Sequence, residues 1–501
     1  NTGIAYALSL NDHNLTFNGR AEIRSTSSNT ESFVATGFPK GVGAIPSFAY
    51  SFKENSTPGY SESISRGVSF LGTFNYNYKY RYLFDASLSS DGSTSFGRDK
   101  KFQTFWSVGA GWNVSKESFA KDWDWMQELK LRGSFGSNGN QNVSNLTSNV
   151  YSYYAGSDIF GTASYLSGYA NPNLEWQVVK KTSVGIDLMF WDNRLLLTMD
   201  YYHTNTNPLV VSIQQKPSSG LSTLPINLGH LNTNGFEFNV SWYAIRNLEK
   251  RIMLNFRLNG NTYKSVYGGF GEALANLNDA YKKDSSVDSK LNVNSMIQYQ
   301  DGESPTALFA VRSLGIDPAT GKEVFLTKNG TPTFDYNADD RVKIADTNPK
   351  IRGVFGISFT YKNLQASVNL RYNLGSFAFN SALFNKVENI SASNIAYNQD
   401  KRALYSRWQN AGDVSQFKGI SLTTQTPISS RFVQRDNYLR GESARISWDF
   451  SRDEWIKRLF LKDLRFNVSF NDFFDLSEMK RERGTDYPFQ RAISFGLSAR
   501  F

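Results

Sequence analysis

Gly315, Gly321 and Lys322 have the outline of a phosphate-binding loop, in which backbone N–H groups cradle phosphates and a lysine neutralises them. The spacing is one residue too long, Glu323 stands where a Ser or Thr should hold magnesium, and no helix is expected to follow. A turn in a surface loop is the better reading. Asp335-x-Asn337-x-Asp339 opens like a calcium loop, but Asp340 occupies the position of the sharp-turn glycine and no Glu follows at the ligating end. Asx-rich turns account for it. His13, His203 and His230 are too scattered for a metal site, and the absence of cysteine excludes disulfides, thiolate metal centres and thiol catalysis. No catalytic residue, cofactor or metal is expected, and the chain is not read as an enzyme. A different chemistry suits residues 138–174, where Tyr151, Tyr153, Tyr154, Phe160, Tyr165 and Tyr169 could stack on sugar rings or pack against peptide side chains. The same residues could equally form a small core inside a large loop, or a partner surface.

These residues must be held by a scaffold, and period-2 alternation dominates the 501 residues. Leu464, Phe466, Val468 and Phe470 alternate with Arg465, Asn467 and Ser469; Phe236, Phe238, Val240 and Trp242 alternate with Glu237, Asn239 and Ser241. Such runs give strands with one apolar and one polar face. Many span about ten residues, enough at a tilt to cross the roughly 25 Å apolar band of an outer membrane. No window approaches the ~18 apolar residues of a membrane helix, and no signal peptide is visible. The net charge of +9 is dispersed along the chain, which argues against nucleic acid. Trp106, Trp112, Trp123, Trp125, Trp176, Trp191, Trp242 and Trp448 fall near strand ends and read as interfacial girdles.

The pattern predicts an all-β chain with strands near 4–10, 14–24, 66–78, 80–89, 104–115, 128–137, 175–191, 194–204, 231–245, 251–264, 351–361, 364–374, 436–450, 461–471 and 489–501. Short and long connections alternate between them, as in barrels with tight periplasmic turns and long outer loops. The tally, about fifteen, is odd, whereas single-chain bacterial barrels normally have an even number of strands. An open edge in lipid leaves backbone groups unpaired, so this chain is expected to need further strands. The last run places Phe489, Ile493, Phe495, Leu497 and Phe501 on one face, and an amphipathic strand ending in Phe resembles the recognition signal for outer-membrane barrel assembly.

Several segments resemble the SusC/RagA family of TonB-dependent outer-membrane transporters. Asp91-Gly92-Ser93 with Phe96-Gly97 resembles its DGSSrFG loop, although Ser89 stands where the family usually has Arg. Trp106 to Trp112 with Glu117 and Phe119 resembles SasaGW…E.F; Leu129 to Asn140, with Arg132, resembles LKLRaSYGqtGN; Asn171 to Trp176 with Gly185 and Asp187 resembles NPnLkWE…vGlD. Gly315-Ile316-Asp317-Pro318 to Gly321 is similar to GiDpaTG, Arg407-Trp408 with Gly412-Asp413 to RW.k.GD, and Gly484-Thr485-Asp486-Tyr487-Pro488 to the last outer loop.

The resemblance implies a 22-stranded barrel of which this chain supplies the C-terminal ~15 strands, without the plug domain, the TonB box or the first strands. It implies TonB-dependent import of large nutrients, oligosaccharides or oligopeptides, under a SusD-like surface lipoprotein. The TonB system would act through the N-terminal portion, outer-membrane lipid would surround the wall, and transporter–lid pairs could form homodimers. Lumen-facing Arg257, Arg371, Asp187 and Asp200 could touch cargo or simply be solvated. Two alternatives are a SusC-like scaffold without transport of its own, and a secreted β-propeller lectin or hydrolase.

Overall fold

The computed structural model describes residues 1–501 except 42–44, 54–58, 95, 98–99, 141–149, 155–162, 169–170, 215–222, 274–277, 279–295, 393–394, 422–423, 452, 459, 481–490 and 501. Among the described residues, fifteen strands form one sheet: β1 (Thr2–Leu10), β2 (His13–Ser32), β3 (Gly59–Tyr78), β4 (Tyr82–Ser93), β5 (Phe102–Asn113), β6 (Met126–Asn140), β7 (Gln177–Phe190), β8 (Leu195–Thr206), β9 (His230–Asn247), β10 (Ile252–Gly268), β11 (Ile351–Tyr361), β12 (Leu364–Leu374), β13 (Tyr438–Asp449), β14 (Asp463–Ser477) and β15 (Ala492–Arg500). Each pairs with its neighbour in sequence, antiparallel throughout. This meander needs no crossover, because every connection joins adjacent antiparallel strands.

Several strands outrun the ten-residue expectation. The β2–β3 ladder continues to Ser32–Gly59, because its polar upper part still satisfies its backbone by pairing. The links at 11–12, 79–81, 191–194, 248–251 and 362–363 are tight. Asn11, Lys79, Tyr80, Trp191, Asp192, Asn193, Arg251 and Lys362 adopt positive φ in these tight turns. Strict alternation of length is corrected in places: link 94–101 is shorter than links 114–125 and 450–462, which carry short helices at the opposite end of the sheet.

One face of the sheet is apolar and uncovered. Ile4, Tyr6, Phe84, Leu131, Trp242, Ile446, Phe495 and Leu497 are all exposed on it. The buried clusters lie in the long connections and where these meet the strand ends. The largest joins Met296, Leu308 and Ala310 to Phe379, Leu383, Phe384, Val387, Phe417, Ile428 and Phe432, uniting link 269–350 with link 375–437. Ile493, Phe495 and Leu497 lie exposed on β15, while Phe489 and Phe501 lie outside the described residues.

Candidate functional site

Strand register sets the polar face. Arg132, Gly185, Asp200, Glu237, Asn261, Arg352, Asn373 and Tyr438 stand opposite one another across β6 to β13, one residue per strand. A second row holds Lys130, Asp187, Thr198, Asn239, Asn259, Val354, Arg371 and Arg440. Between β8 and β13 the two rows line a hollow of about 620 Å³.

Charge along the first row changes sign twice, from Arg132 through Asp200 and Glu237 to Arg352. Arg132 grips Asp187 through Nε and Nη2 at 2.8 and 2.9 Å, and reaches Asp200 at 3.1 Å. Gly185 makes this possible, since a Cβ there would stand 2.2 Å from an Asp200 oxygen and 2.8 Å from the guanidinium. Arg371 pairs with Glu442, the extra residue of a bulge in β13. Arg352 donates to Asn261 at 3.1 Å and lies 5.5 Å from the Tyr263 ring centre. Among the described residues neither Glu237 nor Arg352 has an ion-pair partner. They flank Asn261 and face the hollow with opposite charges. The sequence pointed to Asp187, Asp200 and Arg371, but not to Glu237 or Arg352. Strand register was the missing information.

The phosphate-loop outline is a hairpin turn. Asp317 accepts from the Thr320 hydroxyl at 2.6 Å and from its N–H at 3.2 Å, and these bonds hold its carboxyl below the usual range. Gly321 lies under the Trp408 indole, where a Cβ would stand 2.5 Å from the ring, and the indole N–H donates to Pro318 O at 2.8 Å. The turn of 315–321 therefore docks on segment 407–413. The calcium-like run is turn structure too: Asn337 accepts from Asp339 N–H at 3.0 Å, and Asp340 from Lys328 N–H at 3.0 Å. His13 contacts Tyr76 and His203 contacts Asn234, in separate parts of the sheet.

Glu323, which spoils the phosphate-loop pattern, is buried for another purpose. Arg431 donates to Glu323 at 2.9 Å and to Glu388 at 2.8 Å, while Ser429 and Thr426 hydroxyls donate to the same two carboxylates. Burial works against the charge on Arg431, but its bonds to Glu388 and the field of both carboxylates outweigh this and raise its pKa. Arg407 adds bonds to the carbonyls of Ala403, Lys418, Val387 and Glu388. This network ties link 269–350 to link 375–437.

A second docked pair lies in an earlier part of the chain. Phe96 stacks on Trp176 at 4.1 Å, the Trp176 indole donates to Lys100 O at 2.9 Å, and a Cβ on Gly97 would stand 2.0 Å from Pro172 O. Trp176 is 2% exposed, so it belongs to a loop core and not to an interfacial girdle, which corrects the sequence reading. Trp112, Trp125, Trp191 and Trp448 are exposed at strand ends, and Trp242 is exposed inside β9, opposite Leu195 at the start of β8. Trp112 and Tyr82 both donate to Glu117, at 3.1 and 2.7 Å, holding its carboxyl below the usual range. In the aromatic loop, Tyr151, Tyr153 and Tyr154 lie on strand Val150–Tyr154, and Tyr165 on its partner strand Ala163–Gly168, opposite Ser152. Phe160 and Tyr169 lie outside the described residues.

The family model for the TonB dependent receptor-like β-barrel matches residues 1–315. TonB-dependent receptor P3 of Formosa agariphila is 26% identical over 436 residues, covering 84% of this chain and 41% of the relative. TonB-dependent receptor SusC of Bacteroides thetaiotaomicron is 25% identical over 459 residues, covering 87% and 44%. The RagAB peptide transporter superposes with a TM-score of 0.80 at 19% identity, over 95% of this chain and 51% of that one. The chain thus spans about half the length of the proteins it matches. In outer-membrane barrels the apolar face of the wall meets lipid and the polar face the lumen, and the exposed apolar face of this sheet is oriented by that rule. The chain belongs to the TonB-dependent receptor-like β-barrel family of the outer membrane, related in sequence and structure to its SusC/RagA members.

Proposed function

We propose that this chain forms the lumen wall and outer loops of an active importer of large nutrients, with oligopeptides as the favoured cargo. The observation that carries this reading is the lumenal hollow in which unpaired Glu237 and Arg352 flank Asn261. An oligopeptide presents charged termini and alternating amide donors and acceptors, which opposed charges and the side-chain amides of Asn239, Asn259, Asn261 and Asn373 can meet. A neutral oligosaccharide would use the amides and leave both charges unmatched. The likeness to a peptide transporter supports the same choice.

We further propose that the fifteen strands are the C-terminal part of a 22-stranded barrel. A plug and TonB box elsewhere in the receptor would couple it to the TonB system. A SusD-like lipoprotein would seat on the long loops, and transporter–lid pairs could associate as dimers. Tyr151, Tyr153, Tyr154 and Tyr165, with Phe160 and Tyr169, would contribute to that cargo or partner surface. The amphipathic run of Ile493, Phe495 and Leu497, with Phe489 and Phe501, would serve barrel assembly. Uptake of labelled oligopeptides by cells expressing the full receptor tests the reading. Uptake should require TonB and fall roughly tenfold in Arg352→Ala. Uptake of oligosaccharides alone, or peptide uptake indifferent to Arg352, would overturn the peptide assignment.

A further inference from the structure

At the tight-turn end of the sheet, the 248–251 turn and the 362–363 turn lie side by side. Lys362 N–H donates to Arg251 O at 2.9 Å, and Lys250 N–H donates to Asn247 Oδ1 at 2.8 Å, so both turns are fixed in place. Arg251 and Lys362 each adopt positive φ, 54° and 51°. Between them lies a notch of about 410 Å³ lined by Glu249, Lys250, Arg251, Ile252, Tyr361 and Lys362, with Asn363. Three cations meet one carboxylate here. Among the described residues none of the three has a carboxylate within 4 Å.

The floor of the notch faces lipid. Ile252 pairs with Tyr361 and Leu254 with Phe359, and these positions alternate in step with Phe256 and Leu258 on the apolar face. Lys362 Nζ lies 5.4 Å from the centre of the Tyr361 ring, so its stem follows the aromatic surface while its charge remains at the rim. Anionic groups are attracted by clustered Lys and Arg beside a membrane, and aromatic rings mark the headgroup level.

We propose that this notch binds the phosphate headgroup of an anionic phospholipid, with the acyl chains running down the Ile252–Tyr361 and Leu254–Phe359 pairs. The cations alone would suit any phosphate. The apolar floor continuous with the lipid face selects a phosphate that carries acyl chains. This site is separate from the lumenal one and depends only on the outer-membrane location, so it stands or falls apart from the peptide assignment.

Native mass spectrometry of the full receptor in mild detergent, titrated with phosphatidylglycerol, phosphatidylethanolamine or inorganic phosphate, tests it. Each cation near an anionic surface contributes about fivefold in affinity, so Lys250→Gln/Lys362→Gln should weaken phosphatidylglycerol binding about 25-fold. Each single variant should lose about fivefold, which keeps the test decisive if the pair fails to fold. Phosphatidylethanolamine binding should not change, and the variant at exposed Lys121 in the 114–125 link, Lys121→Gln, should bind as the unaltered receptor does. Equal phosphatidylglycerol binding by the folded variants would overturn the proposal. So would a comparable loss in Lys121→Gln, or displacement of the lipid by equimolar inorganic phosphate.

Discussion

Arg132 and Arg431 each hold two carboxylates, but in opposite surroundings. On the wall, the Arg132, Asp187 and Asp200 side chains keep 35, 25 and 30% of their exposure. In the outer loops, the Arg431, Glu323 and Glu388 side chains keep 13, 4 and 0%. Water screens the first cluster and can replace any partner that is lost, so it contributes little to stability. It fixes charged groups in register along the polar face. The second cluster has no water to fall back on, and its members were desolvated to make it. Removing one therefore leaves a buried charge unmatched. The wall is stabilised by its ladder of strand pairs and by the lipid that covers its outer face. The loops carry a buried hydrophobic core, and the ionic network is drawn from the same two links. Solvated and buried charge are thus divided between two parts of one chain.

Breaking the buried cluster should have the largest effect. Arg431→Ala is expected to destabilise the outer-loop body by about 3–5 kcal/mol, seen as rapid proteolytic cleavage in 300–350 and 375–435 while the strands remain heat-modifiable on a gel. Trp176→Phe keeps the stack on Phe96 but removes the bond to Lys100 O, and should cost about 1–2 kcal/mol locally. Faster amide exchange around 96–101 and 171–176 would register it. Arg132→Gln should change stability by less than about 1 kcal/mol, measured as the thermal midpoint of the full receptor. A large loss there would erase the contrast with Arg431. The smallest effect concerns acid. Glu117 titrates lower in the folded protein than in the unfolded chain, so its stabilisation is present at neutral pH. It is lost as the pH falls through that lowered value, below the ordinary Glu figure of about 4.3. Glu117→Gln should therefore flatten the acid limb of the stability curve, with little change at pH 7 in the shape of the wall.

Alternation made the wall legible. A strand with lipid on one side and water on the other writes its environment into every second residue, and Phe236 to Trp242 shows this without reference to any other segment. The outer loops have no such period. Glu323 meets Ser429 across 106 residues and Arg431 across 108, and no local pattern connects them. The family-like segments were visible, but not that they dock on one another: 96–97 on 172–176, Arg132 on Asp187, and 318–321 on 408. Trp176 was misread because closeness to a strand end looks the same in sequence whether the ring meets lipid or Phe96. Glu237 and Arg352 were ordinary polar residues in their strands, and only the register of β8 to β11 brought them to one hollow.

The division between wall and loop body is tested most directly by hydrogen–deuterium exchange on the full receptor, comparing the unaltered protein with Arg431→Ala. Protection should collapse in 307–326, 377–390 and 428–435, while β8 (Leu195–Thr206) and β9 (His230–Asn247) exchange as before. Unchanged protection in the loops, or an equal loss in the two strands, would contradict it.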